Sequence, residues 1–155
     1  LLDGGAPFYR VYETSDGEFM SVGAIEPQFF QLLLRMLEVD FDPARQHDRS
    51  TWPALGETFA QRFRSRSRAE WTALFDGSDA CVAPILSVAE SLAHEHMRAR
   101  GAIVPTASGG VQPGIAPRFS NHPDPRPGAV AARGADTERV LREHTRVCAA
   151  ELADT

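Results

Sequence analysis

Glu26 stands where two kinds of local pattern meet. Before it, Glu18 to Ile25 reads as an extended stretch; after it, Pro27 opens an apolar run with helical spacing. A carboxylate at such a junction has two readings. At a helix start it gains about 0.3–1 kcal/mol from the backbone dipole, although Glu is not among the residue types that cap well. Alternatively it is a functional group, because binding and catalytic residues gather where a rigid scaffold presents an element end. Spacing alone leaves both open.

The other chemically suggestive clusters read as surface or core. His94-Glu95-His96 has metal-ligand residue types, but a zinc-protease helix needs His-Glu-x-x-His and Arg98 occupies the place of the second His. Residues two apart do not share a helix face, so this is a solvated helix end and no metal site is expected. Arg62, Arg64, Arg66 and Arg68 alternate with Phe63, Ser65 and Ser67; helical spacing scatters them around the axis, which favours a solvated face over an anion patch. Cys81 lies between Ala80 and Val82-Ala83, so a buried, inert thiol is expected. Neither Gly4-Gly5 nor Gly109-Gly110 sits in a strand–loop–helix setting, and there is no Gly-x-Ser-x-Gly elbow. From composition and spacing the residues supply no complete catalytic apparatus.

The elements that must position Glu26 follow from the local patterns. Phe8 to Thr14 and Glu18 to Ile25 flank Ser15-Asp16-Gly17 and predict a β-hairpin. Proline at a first helical position predicts a helix from Pro27 to about Val39. Its Phe29, Phe30, Leu33, Leu34, Met36 and Leu37 cover more than one stripe, so it is expected to be buried. A second helix is predicted from Trp52 to about Arg64 behind Thr51 as cap. Ser67-Arg68-Ala69-Glu70 has capping-box spacing and opens a third that stops near Gly77. Ala80 to Leu86 predicts a strand that Pro84 confines to an edge or bulge. Ser87 to Glu90 repeats the capping box and starts a helix ending before Gly101, and Ala102 to Val104 predicts one more strand.

Between Val104 and Gly134 six Pro and five Gly fall in one stretch, too many for a packed element. An extended linker is expected there. Beyond it a last helix is predicted, with Val140, Leu141, His144, Val147, Cys148 and Leu152 on one face. The expected fold class is therefore α+β: a small domain over 1–103 with a β-hairpin and short antiparallel sheet packed with helices, a linker over 104–134, and a C-terminal helix over 135–155.

The 155 residues are 43% hydrophobic and 24% charged with a net charge of −5, which argues against wholesale disorder and against a nucleic-acid partner. No apolar run approaches the ~18 residues of a membrane span, and no signal peptide is recognisable at the start. Two cysteines, Cys81 and Cys148, are too few for a disulfide framework and suit a reducing cytoplasm. All 16 basic residues are Arg, a bias of the kind a GC-rich coding genome produces. The chain opens Leu1-Leu2-Asp3 without Met and reads as a piece of a longer protein.

Several blocks of sequence resemble the family III CoA-transferases. They are Gly5-Ala6-Pro7-Phe8-Tyr9-Arg10-Val11-Tyr12-Glu13-Thr14-Ser15-Asp16-Gly17, Val22-Gly23-Ala24-Ile25-Glu26-Pro27-Gln28-Phe29, Arg68-Ala69-Glu70-Trp71 and Phe75-Asp76-Gly77-Ser78-Asp79-Ala80-Cys81-Val82-Ala83-Pro84. Shorter matches come at Ala116-Pro117-Arg118-Phe119-Ser120 and Gly134-Ala135-Asp136-Thr137. Within that family the Ile-Glu-Pro block is similar to the α-methylacyl-CoA racemase branch. The resemblance implies a two-domain enzyme whose subunits interlock as a homodimer, with this chain supplying the small domain, the return linker and the final helix. It implies α-proton exchange on a 2-methylacyl-CoA through an enolate-like state, by a His and an Asp in the large domain outside this chain. The thioester acidifies the α-proton, so no cofactor is expected. Glu26 is implied to support the catalytic His, and Leu2, Tyr9 and Ile25 to line the acyl channel, against ordinary core packing as the plainer reading of those three. On this view the chain alone is inactive. The alternatives are a family III CoA-transferase and a non-catalytic binding or assembly module.

Overall fold

The computed structural model describes residues 1–106, 108–121 and 131–144. The chain divides into two compact units, 1–87 and 88–155, and among the described residues the buried core lies in the first.

The first unit is built on the hairpin. Strands β1 (Tyr9–Glu13) and β2 (Phe19–Gly23) pair antiparallel, with Tyr9 opposite Gly23 and Tyr12 opposite Met20. Gly17, at φ +77°, takes the left-handed conformation that lets the turn close. Strand β3 (Val82–Pro84) pairs antiparallel with β2 and is an edge, where a residue without an N–H does least harm. Period-two alternation splits the sheet: Tyr12, Met20 and Val22 face the core, whereas Tyr9, Val11, Ser21 and Gly23 belong to the opposite face.

Helices α1 (Pro27–Met36), α2 (Trp52–Phe63) and α3 (Arg68–Phe75) cover the core face. Helix α1 ends three residues before the expected Val39, because Glu38 turns to φ +54°. It is also not buried all round: Phe30, Leu33 and Leu34 are, while Gln28, Gln31 and Arg35 are exposed. Thr51 precedes α2 without capping it. Its backbone is already helical, and its hydroxyl donates to the Asp48 carbonyl at 2.8 Å instead. The Ser67–Glu70 capping box of α3 forms in both directions. A stack of aromatic rings runs through the unit: Tyr12 lies on Phe63 at 5.0 Å between centroids, Phe63 meets Trp71 at 5.3 Å, and Trp71 stacks on Phe75 at 5.8 Å. Gly56, inside α2, leaves room for Arg10, whose Nη1 would lie 3.2 Å from an added Cβ.

In the second unit the single helix expected before Gly101 is two, α4 (Val88–Ala93) and α5 (Glu95–Ala99), because His94 adopts an extended backbone between them. Strands β4 (Ile103–Pro105) and β5 (Val111–Pro113) pair antiparallel, so the Pro/Gly-rich stretch contains a short ladder that composition did not suggest. Pairing of Val104 with Gln112 satisfies the backbone despite Pro105 and Pro113, both at strand ends. Helix α6 (Thr137–His144) makes two turns, with Val140 exposed. The expected positions Val147, Cys148 and Leu152 lie outside the described residues.

Candidate active-site surface

The outer face of the sheet carries a concavity of about 470 Å³ lined by Gly4, Tyr9, Arg10, Val11, Ser21, Val22, Gly23 and Cys81. Its floor is strand backbone, because Gly23 has no side chain and an added Cβ there would come no nearer than 3.9 Å to the Cys81 carbonyl. That carbonyl accepts from the Gly23 N–H at 2.9 Å, so the loop before β3 is held against the end of β2. Cys81 itself sits at φ +54° and is exposed, contrary to the expected buried thiol. The apolar neighbours in sequence misled, since the turn at Gly77-Ser78-Asp79 delivers Cys81 in a left-handed conformation that presents it at the surface. Partial burial, then the charges of Glu26 and Asp79, push its pKa above the ordinary thiol value.

Glu26 occupies the residue before α1, with extended backbone and no side-chain cap bond. Its carbonyl starts the helix by accepting from the Phe30 N–H at 3.0 Å. The carboxylate is exposed and is not among the residues that line the concavity; its charge contributes to the raised pKa of Cys81, which is. Of the other sequence-derived candidates, Tyr9 lines the concavity, opposite Gly23 in register. Ile25 is half-buried beside Glu26, and Leu2 is 65% exposed, two residues from the Gly4 that forms part of the rim.

Sequence reasoning missed Gln46, which no periodicity marks. Its side chain is buried, and its Nε2 donates to the carbonyls of Ala24 at 3.2 Å and Ile25 at 2.8 Å. Its own carbonyl accepts from the Trp52 indole at 2.8 Å. His47 and Trp52 both pack edge-on against Phe8 at 5.7 Å, which fixes the loop that carries Gln46.

The remaining clusters resolve into structure. Arg64 pairs with Glu13 at 3.1 Å, Arg68 with Glu18 at 3.0 Å, and Arg62 donates to the Glu38 carbonyl at 2.8 Å. Arg66 lies over the Trp71 ring at 4.9 Å. The arginines thus tie the second and third helices to the hairpin and the end of the first. Among the described residues no group of His, Cys, Asp and Glu could hold a metal ion. None of the described helices is long and apolar enough to cross a membrane.

Residues 2–137 match the family described as CoA-transferase family III. The human α-methylacyl-CoA racemase is 45% identical over 124 residues, covering 79% of this chain and 32% of that protein. The mouse α-methylacyl-CoA racemase is 43% identical over 146 residues, covering 93% of this chain and 38% of its own length. The chain thus spans about a third of the length of these curated relatives. Among solved structures, a mutant of Rv3272 from Mycobacterium tuberculosis superposes with a TM-score of 0.62 at 14% identity, over 82% of this chain and 38% of that one, a likeness of fold.

Proposed function

Because this chain belongs to CoA-transferase family III, we propose that it is the small-domain portion of an α-methylacyl-CoA racemase that interconverts (R)- and (S)-2-methylacyl-CoA esters. The observation that carries the reading is Glu26, an exposed carboxylate with no capping bond, in a block that resembles that branch and near enough to Cys81, which lines the concavity, to raise its pKa. A residue serving only as a cap would be expected to bond the helix N–H groups in front of it. Glu26 leaves them alone.

In the proposed reaction a base removes the α-proton and an acid returns one to the opposite face, through an enolate-like state that the thioester stabilises. Both groups, a His and an Asp, are contributed from outside this chain. Glu26 orients the His and favours its charged form, since a carboxylate beside an imidazole raises its pKa. Tyr9, with Leu2 and Ile25 at the margin, contacts the acyl chain, which lies in the concavity over Gly23. The stretch 104–134 leads to a final helix whose Val140 and Leu141 are covered by the large domain, and the whole enzyme is an interlocked homodimer of the cytoplasm that acts in fatty-acid metabolism. The family match also accommodates a CoA-transferase, in which acyl chemistry runs through a mixed anhydride and Glu26 has no base to support.

Exchange of the α-proton with solvent deuterium separates the two. In the full-length enzyme Glu26→Gln should lower kcat by roughly 10–10³-fold with KM nearly unchanged, because an orienting group contributes less than a direct acid or base. The isolated chain should catalyse no exchange. Acyl transfer without exchange in the wild type would overturn the racemase reading, whereas unaltered exchange in the variant would remove Glu26 from it.

A further inference from the structure

We infer that Gln46 is a positioning residue for Glu26, its buried amide setting the direction in which the carboxylate is presented. The inference rests on the reading of Glu26 as the support of a base outside this chain. Between Gly23, fixed to Cys81, and Pro27, fixed by the helix, only residues 24 to 26 remain to decide where the Glu26 side chain points. The carbonyls of Ala24 and Ile25 both receive hydrogen bonds from the one Gln46 amide nitrogen, at 3.2 and 2.8 Å. Those two peptide units immediately precede Glu26, so the amide fixes the ψ angles that orient its Cα–Cβ bond.

The chemistry is specific to an amide. A hydrophobic side chain of equal volume would fill the space and leave two carbonyls without donors, and a carboxylate would face them with acceptors. Gln46 is also one of only two buried polar or charged side chains among the described residues. The other, Thr14, donates to Asp16 in the hairpin turn, at the end of the hairpin away from Glu26. The loop carrying Gln46 is itself held through Trp52 and Phe8. Small displacements of a positioned group can cost up to about 10²-fold in rate.

The test is a double-mutant cycle in the full-length enzyme, reading kcat and KM for α-proton exchange in wild type, Gln46→Met, Glu26→Gln and the double variant. Gln46→Met should lower kcat about 10-fold with KM changed less than about 2-fold, and should lower it no further when Glu26 is already Gln. Gln46→Asn, whose shorter amide reaches fewer acceptors, should show a smaller loss and serves if the Met variant does not fold. Thr14→Val should lower the Tm while leaving kcat alone, which separates loss of stability from loss of positioning. Wild-type kcat in both Gln46 variants, or an equal further loss in the Glu26→Gln background, would overturn the inference. Wild-type kcat in Glu26→Gln would instead remove the reading on which it rests.

Discussion

Cys81 and Glu26 are separated by most of the first unit's sequence, yet the charge of Glu26 bears on the Cys81 thiol. The coupling offers a direct measure of where the Glu26 carboxylate lies, independent of any turnover. A thiol reacts as thiolate, and Cys81 has its pKa raised by desolvation first and by the charges of Glu26 and Asp79 next. Exposed as it is, it should therefore alkylate slowly near neutral pH, with the rate climbing through an inflection above that of an ordinary thiol. Each neighbouring negative charge disfavours the thiolate, so removing one must lower that inflection. In a Cys148→Ser background, iodoacetamide rates measured against pH should show the Cys81 inflection displaced downward in Glu26→Gln and again in Asp79→Asn. An inflection unmoved by Glu26→Gln would place the carboxylate away from the concavity. Tyr12 behaves oppositely in purpose: burial raises its pKa far beyond the ordinary phenol range, and its hydroxyl donates to the Pro7 carbonyl at 2.7 Å. Tyr12→Phe leaves that buried acceptor unmet and should destabilise the chain by about 1–3 kcal/mol in urea denaturation.

At the scale of elements, the hairpin turn and the start of α3 form one electrostatic joint. Asp16 accepts the Thr14 hydroxyl and the backbone N–H of Arg68 at 3.2 Å, while Glu70 accepts the Ser67 N–H at 2.8 Å and the Ser67 hydroxyl. These hydrogen bonds hold both carboxyls below the ordinary carboxylate range. A carboxyl depressed in the folded state contributes stability above its unfolded pKa and loses it as pH falls through the folded value. This contribution should thus be full near neutral pH and be lost as the pH falls through the ordinary carboxylate range and below it. Urea midpoints along that series should fall less steeply in Asp16→Asn and Glu70→Gln, and an acid limb identical to wild type would show that the joint is not formed in solution. Ser67→Ala, which removes the cap itself, should cost about 1 kcal/mol at neutral pH. This joint was half legible in the sequence: the Ser67–Glu70 spacing states its chemistry locally, whereas the partnership with Asp16 spans 52 positions and leaves no pattern. The same division runs through the site. Glu26 is visible because Pro27 fixes the junction beside it. Gln46 and Cys81 are not, since one acts through backbone carbonyls 21 and 22 residues away and the other through a single left-handed φ that apolar neighbours conceal. The ladder of β4 and β5 was hidden for a related reason, because prolines at strand ends look like breakers until the pairing is known.

For the whole molecule, the decisive fact is where burial stops. Among the described residues every buried hydrophobic side chain falls between Ala6 and Ala80, and none from 88 onward is buried. The two compact units thus differ in kind: 1–87 contains a core of aromatic rings and aliphatic helix faces, whereas 88–155 contributes short helices, a two-strand ladder and an ion-paired helix to the described structure. Surface ion pairs such as Arg139 with Glu143 at 3.0 Å contribute at most about 1 kcal/mol, and a lone two-strand ladder is marginal in water. Cooperative unfolding of the 155-residue chain should accordingly report the first unit alone. The heat-capacity change scales with surface exposed, at about 12–15 cal/mol/K per residue. Calorimetry should give about 1.0–1.3 kcal/mol/K, as for 87 residues, instead of the about 1.9–2.3 that cooperative melting of the full length would require. The truncated chain 1–87 should fold, melt within a few degrees of the longer one and keep the near-ultraviolet signal of Trp52 and Trp71, while 88–155 alone should show no cooperative transition. A heat-capacity change scaling with all 155 residues, or failure of 1–87 to fold, would mean that the second unit supplies part of the core. The expected result would mean that 88–155 has no cooperative stability of its own, as the proposed docking of its last helix on a large domain needs.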